Sequence, residues 1–200
     1  MRRMFYQALF SVHLLAACQQ PPAVIMHAGD RAHIPDKVDR DLRTIIEERA
    51  IPDDSVRLVV RKAARLLMVV ASGDTLKRYP CVLGEAPVGD KSMQGDRCTP
   101  EGTFTFRDKY PHREWHKFAW IDYPNEESWR RFRQRKRDGL IPANAAIGGE
   151  IGIHGVPEGM DHWIGMGHDW TFGCIAMRNA DLDELWTWIR PRSSILVILP

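Results

Sequence analysis

The chain is short of charge of one sign. Lys and Arg outnumber Asp and Glu only 28 to 26, a net charge of +2 over 200 residues, so no strong field marks out a polyanionic partner. Its basic residues fall into no known nucleic-acid-binding motif, which argues against nucleic acid as a ligand. Internal repeats and low-complexity tracts are absent as well. There is no G-x-S-x-G sequence, which removes the strand-turn-helix elbow of a serine hydrolase. Cysteine is sparse, at four residues, while 44% of the chain is hydrophobic. That is enough for one well-packed domain with a tail or two.

Long apolar runs are missing too, and the one at the start is short. Residues 1–18, MRRMFYQALFSVHLLAAC, read as an export signal: Arg2 and Arg3 precede a mostly apolar stretch that ends in small residues. Gln7 and His13 interrupt it, and it is too short to span a bilayer comfortably. Leu15-Ala16-Ala17-Cys18 resembles a bacterial lipobox, in which Cys18 becomes the lipidated N-terminus. Gln19 in place of Asp after it resembles lipoproteins sent to the outer membrane. An ordinary N-terminal helix, or a signal cleaved without lipid, is the other reading. The expected setting is the periplasm, with a lipid anchor in the membrane.

Residues 19–55 read as a tether. Gln19–Ala23 is polar and Pro-rich, which suits a flexible spacer. Val38, Leu42, Ile45 and Ile46 recur at helical spacing, so Lys37–Arg49 is expected to be a short amphipathic helix docked on the domain; a partner-binding face is the alternative. Pro52 ends it. From residue 56 to 200 the pattern is strand-dominated. Val56–Val60, Leu66–Ala71, Leu76–Leu83, Thr103–Arg107 and Ile195–Leu199 are apolar or alternating runs, and Ser72-Gly73-Asp74 is a turn signal. Gly84–Gly102 is rich in Gly and Pro and must be loop. Aromatic residues crowd Tyr110–Tyr123, as core or groove wall. Ser128–Asp138 is expected to be a helix crowded with basic residues, read as a solvated face or as a rim that attracts acidic ligands. Asn179 reads as the N-cap of a last helix, with Asp181 and Asp183 in its first turn and Leu182, Leu185, Trp186 and Ile189 as its buried stripe. The fold class is mostly β, a sandwich or barrel with few short helices and a capping loop.

The chemistry concentrates in Ile151–Asn179, IGIHGVPEGMDHWIGMGHDWTFGCIAMRN. Only a few per cent of a free Cys is thiolate near neutral pH, so Cys174 needs a base beside it to act as a nucleophile. His154, His162 and His168 are the nearby imidazoles. Gly173 lets the backbone approach a substrate closely, and the amides around Cys174 are placed to meet an oxyanion. A zinc site built from His154, His162, His168 and Cys174 is the sharp alternative, although their long gaps lack the tight spacing of recognised sites.

This stretch resembles the catalytic motif of the L,D-transpeptidase family (the YkuD-type catalytic domain). His154-Gly155, sixteen residues from Gly155 to Trp170, Thr171-Phe172-Gly173-Cys174, Ile175 and Asn179 follow the family pattern in order. Pro87-Val88-Gly89-Asp90-Lys91, Gly95-Asp96 and Thr99-Pro100-Glu101-Gly102 resemble its loop, so the likeness extends over about residues 56–200. Two departures stand out: Phe172 replaces the commoner His, and Ala176 replaces a frequent Arg. The first makes His154 the base; the second leaves open how the substrate's carboxylate is held.

The resemblance implies a β-sandwich with Cys174 on a strand beside an open cleft. Cys174 is then the nucleophile and His154 the general base, oriented by the backbone carbonyl of Gly155. Phe172 and Gly173 supply oxyanion-hole amides, and Thr171, His168 and Asn179 meet the substrate. The implied activity is a peptidoglycan L,D-transpeptidase acting on stem peptides. Cys174 takes the acyl group with release of D-Ala, then passes it to an amine of another stem, a lipoprotein Lys or a D-amino acid. A carboxypeptidase, an amidase acting on wall-linked lipoprotein, and a non-enzymatic peptidoglycan-binding lipoprotein are the alternatives. No metal or organic cofactor is implied. In an oxidising periplasm Cys81 and Cys98 are candidates for a disulfide.

Overall fold

Alternation of buried and exposed residues sets the strands of the computed structural model, which describes residues 40–200. The expected signal segment, Cys18 and most of the tether lie outside the described residues. β1 (Arg57–Arg61), β2 (Leu66–Ala71) and β3 (Asp74–Val82) form an antiparallel meander. β4 (Gly102–His112) and β5 (His116–Ile121) form a hairpin. β6 (Gly152–His154) and β7 (Ile175–Met177) are short, and β8 (Ile195–Leu199) is last. The eight close into a barrel in the order β1-β2-β3-β7-β6-β5-β4-β8. β1–β8 and β6–β7 run parallel and the other neighbours antiparallel.

Inward positions of successive strands fill the barrel. Val60, Leu67, Val69, Phe106, Ala119, Ile121, Ile153, Ile175 and Leu196 are fully buried there, each large aliphatic contributing about 1.5–3 kcal/mol relative to exposure. A smaller cluster of Val82, Val156, Ile164 and Ala176, with Met160 and Trp170 against it, sits on the opposite face of β3, β6 and β7. This second cluster explains why β6 and β7 are buried throughout and read as continuous apolar runs rather than as alternation.

The first helix is shorter than its periodicity suggests. α1 spans Leu42–Glu48, with Asp41 as N-cap accepting from the Thr44 amide at 3.2 Å; Val38 lies outside the described residues. Leu42, Ile45 and Ile46 are buried against the domain, and the Leu42 amide donates to Glu184 at 2.6 Å. The strand expected to end at Arg107 continues to His112 and turns back, so the aromatic segment is a hairpin. α2 spans Glu126–Arg137, capped by Asn125, whose Oδ1 accepts from the Ser128 amide at 3.0 Å.

The basic face of α2 is not simply solvated. Arg131 and Arg135 both grip Asp90 Oδ2, at 2.8 and 2.7 Å, and donate to the carbonyls of Glu101 and Lys91. They tie α2 to the loop between β3 and β4. Lys62, only 2% exposed, reaches that loop from the β1–β2 turn and donates to Thr99 O, Glu101 Oε1 and Gly89 O. Inside the loop, Lys91 pairs with Asp96 at 2.7 Å while Asp96 also accepts from the amides of Ser92, Met93 and Cys98. Buried charges persist only when paired and hydrogen-bonded, so these contacts make a Gly-rich loop stiff.

α3 (His162–Met166) covers the outer cluster through Ile164. α4 (Asn179–Leu185) continues as a 3-10 turn at Trp186–Trp188. Here the expectation for Asn179 is corrected: the N-cap position is Arg178, with no side-chain cap, and Asn179 is the first helical residue. Its side chain is engaged by the Val156 backbone. Trp186 is only half-buried, while Leu182, Leu185 and Ile189 are fully buried.

Candidate active site

Strand pairing brings the segments that carry the two expected reacting residues side by side. In the parallel β6–β7 ladder Ile153 faces Ile175 and His154 faces Ala176. Side chains alternate along a strand, so His154 shares its face with Ala176, and Cys174 stands immediately before β7. Ile153 and Ile175 point into the barrel.

His154 is held by its own neighbour. Its Nδ1 lies 2.7 Å from the carbonyl oxygen of Gly155. A carbonyl only accepts, so Nδ1 carries the proton and Nε2 presents its lone pair. The Gly155 amide in turn donates to the carbonyls of Trp115 and Lys117, at 3.1 and 3.2 Å. That places the β4–β5 turn under the imidazole. Three rings enclose it: Trp115 at 5.2 Å, Trp170 at 5.7 Å and Phe118 at 5.9 Å, the last stacked within 5° of parallel. His112 Nδ1 accepts the amides of Glu114 and Trp115 and so fixes the turn that carries Trp115.

Asn179 is a strut beneath this arrangement. Its Oδ1 accepts the Val156 amide at 2.9 Å and its Nδ2 donates to the Val156 carbonyl at 3.0 Å. The same Oδ1 would lie 2.2 Å from a Cβ on residue 155, so only glycine fits there. Expected at the substrate, Asn179 is instead occupied in both directions by backbone.

The turn into Cys174 is equally constrained. The Thr171 hydroxyl donates to the Cys174 carbonyl at 2.7 Å and accepts the Gly173 amide at 3.2 Å. Thr171 also bridges to Gly84, giving its amide to Leu83 O and its carbonyl to the Glu85 amide. Gly173 has φ +129, and a Cβ on it would lie 2.8 Å from Cys98 O; the close approach forces glycine. The Gly173 amide, expected in an oxyanion hole, donates to the Thr171 hydroxyl. Phe172 is 73% exposed, with the Arg97 guanidinium 5.1 Å from its ring and Arg97 itself paired to Glu85.

Burial sets the protonation of the pair. It pushes His154 down to about 4, against the pull of the Gly155 carbonyl. It pushes the Cys174 thiol up to about 11, opposed by a hydrogen bond from the Gly152 backbone and by the charge of Lys91. Desolvation disfavours the charged form of each, so at neutral pH the pair rests as thiol and neutral imidazole. The Cys174 Sγ meets the Glu150 carbonyl at 3.5 Å.

The remaining candidates separate from the pair. His162 and His168 are exposed; His168 joins Trp163, Met166 and Trp170 around an apolar hollow. Among the described residues no three His, Cys, Asp or Glu side chains converge as metal ligands, so the zinc set of His154, His162, His168 and Cys174 does not assemble. Cys81 and Cys98 are both free, which sets aside their pairing; Cys81 is sealed in the core, its thiol pushed up to about 12 by burial. Sequence reasoning missed Trp170, and missed Asp169, which accepts a bidentate contact from Arg65 and the Leu83 amide. An acidic residue next to an aromatic one inside the motif was the only local signal for these two.

Comparison with known proteins bears on the family and the fold. The L,D-transpeptidase catalytic domain (YkuD) family model matches residues 55–198. No curated protein matches the sequence. Among solved structures, the helical cell shape determining protein Pgp2 from Campylobacter jejuni is similar at 20% identity and a TM-score of 0.52, over 78% of this chain and 54% of that one. Bd1075 from Bdellovibrio bacteriovorus is similar at 19% identity and a TM-score of 0.49, over 76% of this chain and 48% of that one. The chain thus spans about half the length of these structures, and with Pgp2 the likeness is one of fold.

Proposed function

The chain belongs to the L,D-transpeptidase catalytic domain family, and on that footing we propose that it is a peptidoglycan L,D-transpeptidase working through Cys174 and His154. One observation carries the reading: β7, which begins at the residue after Cys174, pairs with the strand bearing His154, whose Nδ1 proton is held by the Gly155 carbonyl 2.7 Å away. Its Nε2 is thereby left to take a proton.

With both groups neutral at rest, the proton moves as the bond forms. Cys174 Sγ attacks the carbonyl of the stem peptide and His154 Nε2 accepts the thiol proton. The amides of Phe172 and Cys174 face the oxyanion, and collapse expels D-Ala as the amine, which takes the proton from His154. An acceptor amine then attacks the thioester, forming a new amide and returning the thiol. No acidic third residue is needed, because a backbone carbonyl orients the base. Burial of His154 disfavours the imidazolium, so it exists only transiently.

We place the protein in the periplasm on the strength of its first eighteen residues, with Cys18 as the lipidated residue. The test of the chemistry is intact-mass analysis of the full-length chain with disaccharide-tetrapeptide, as wild type and as Cys174→Ala. A transient acyl adduct with D-Ala release in the wild type alone is the expected result. Dimers among the products mark transpeptidation, and tripeptide alone marks hydrolysis. A folded protein with neither adduct nor turnover would instead point to a peptidoglycan-binding lipoprotein or to an amidase of wall-linked lipoprotein.

A further inference from the structure

Near His154, Trp163, Met166, His168 and Trp170 line an open hollow of about 390 Å3 with apolar walls. It is built on α3, which is seated on the barrel through the fully packed Ile164. One wall is shared with the site: the Trp170 ring lies 5.7 Å from His154 and 5.7 Å from Trp163. The hollow therefore borders the general base through a single indole.

We propose that this hollow receives the side chain of the amine that leaves or enters the acyl-enzyme, and that it favours amino acids with large apolar side chains as acceptors. The proposal rests on the acyl-transfer reading above. In acylation the D-Ala nitrogen departs with a proton from His154. In transfer the incoming nitrogen attacks the thioester carbon, the C–S bond breaks and an amide C–N bond forms. The amine proton passes to His154 and on to the Cys174 sulfur. Both nitrogens must come within hydrogen-bond reach of the same Nε2, so both amines occupy one position and direct their substituents to one neighbourhood.

The departing D-Ala carries only a methyl group there. A methyl is about the size of one water, whose share of liquid volume is roughly 30 Å3, far less than the hollow holds. A polar substituent would lose its water and find no partner on these walls, whereas a longer apolar one is buried. Met166, 62% exposed at the rim, is unbranched and adapts to different shapes.

The test is a competition. Full-length protein with disaccharide-tetrapeptide receives equal glycine, D-serine and D-leucine, and the exchanged stems are resolved by mass. D-Leucine is expected to be incorporated about tenfold faster than either competitor. Met166→Glu and Trp163→Ala, each normalised to its own D-Ala release, are expected to bring that ratio near one. D-Ala release with even partition among the three acceptors would overturn the pocket assignment and leave acyl transfer standing. Absence of D-Ala release from the wild type would overturn both.

Discussion

At the scale of single residues the reacting pair is defined by what surrounds it. Trp115, Phe118 and Trp170 take water away from His154, and the cost of a buried charge falls on both partners. Cys174 with a thiol near 11 and His154 near 4 cannot rest as an ion pair at neutral pH. Alkylation of Cys174 by iodoacetamide should consequently show no neutral-pH plateau. Its rate should climb with pH up to about 11, read by mass after timed quenching. A plateau between pH 5 and 8 would mean a preformed thiolate–imidazolium pair, and the neutral-pair mechanism would fail. Gly155 and Gly173 act at the same scale: each marks a place where a side chain would strike Asn179 or the Cys98 carbonyl.

Among the elements, the β3–β4 loop differs most from its composition. A Gly- and Pro-rich segment suggests mobility, yet Lys62, Asp90, Lys91, Asp96, Arg131 and Arg135 bind it from within and from two flanking elements. Lys62→Met removes an almost fully buried cation from its pair with the partly exposed Glu101 and should cost about 3 kcal/mol, measured by urea denaturation. It should also raise hydrogen exchange in residues 84–101. Exchange unchanged there would show that the loop is held without Lys62. Asp96 makes the loop acid-sensitive as well. Burial by itself raises its carboxyl, but Lys91 and the amides of Met93, Ser92 and Cys98 outweigh that and hold it below the ordinary range. A depressed carboxyl stabilises above its unfolded value, and that contribution is lost as pH falls through the folded one.

For the whole molecule, acid stability has a second contributor. His154 drops from an ordinary 6.5 to about 4 on folding, so between those values the unfolded chain binds the extra proton. Stability contributed by this residue is complete above 6.5 and falls as pH drops towards 4, by about 3 kcal/mol in all. Thermal unfolding of wild type and His154→Gln should diverge across that window. Parallel curves would mean that His154 takes up its proton without unfolding.

How much of this was legible in the sequence follows from distance along the chain. Cys174, Thr171, Gly173 and His154 lie in one stretch, and the barrel strands β1, β2 and β8 announce themselves as short apolar runs. β6 and β7, three residues each, are too short to alternate and are covered on both faces. Lys62 with Glu101, Asp90 with Arg131 and Asp169 with Arg65 are contacts between distant segments, and no local pattern pairs them. Asn179 looked like a cap because caps and struts use the same amide; only the position of Val156 decides between them.

The parallel pairing of β1 with β8 has a kinetic consequence. Arg57 meets Ile195 and Arg61 meets Leu199, and β8 also supplies the partner of β4. Until the last strand is available, β1 and β4 both present unpaired edges, which are templates for aggregation. Such long-range closure is slow compared with local hairpins. The first meander can form early, but native closure waits for the final strand.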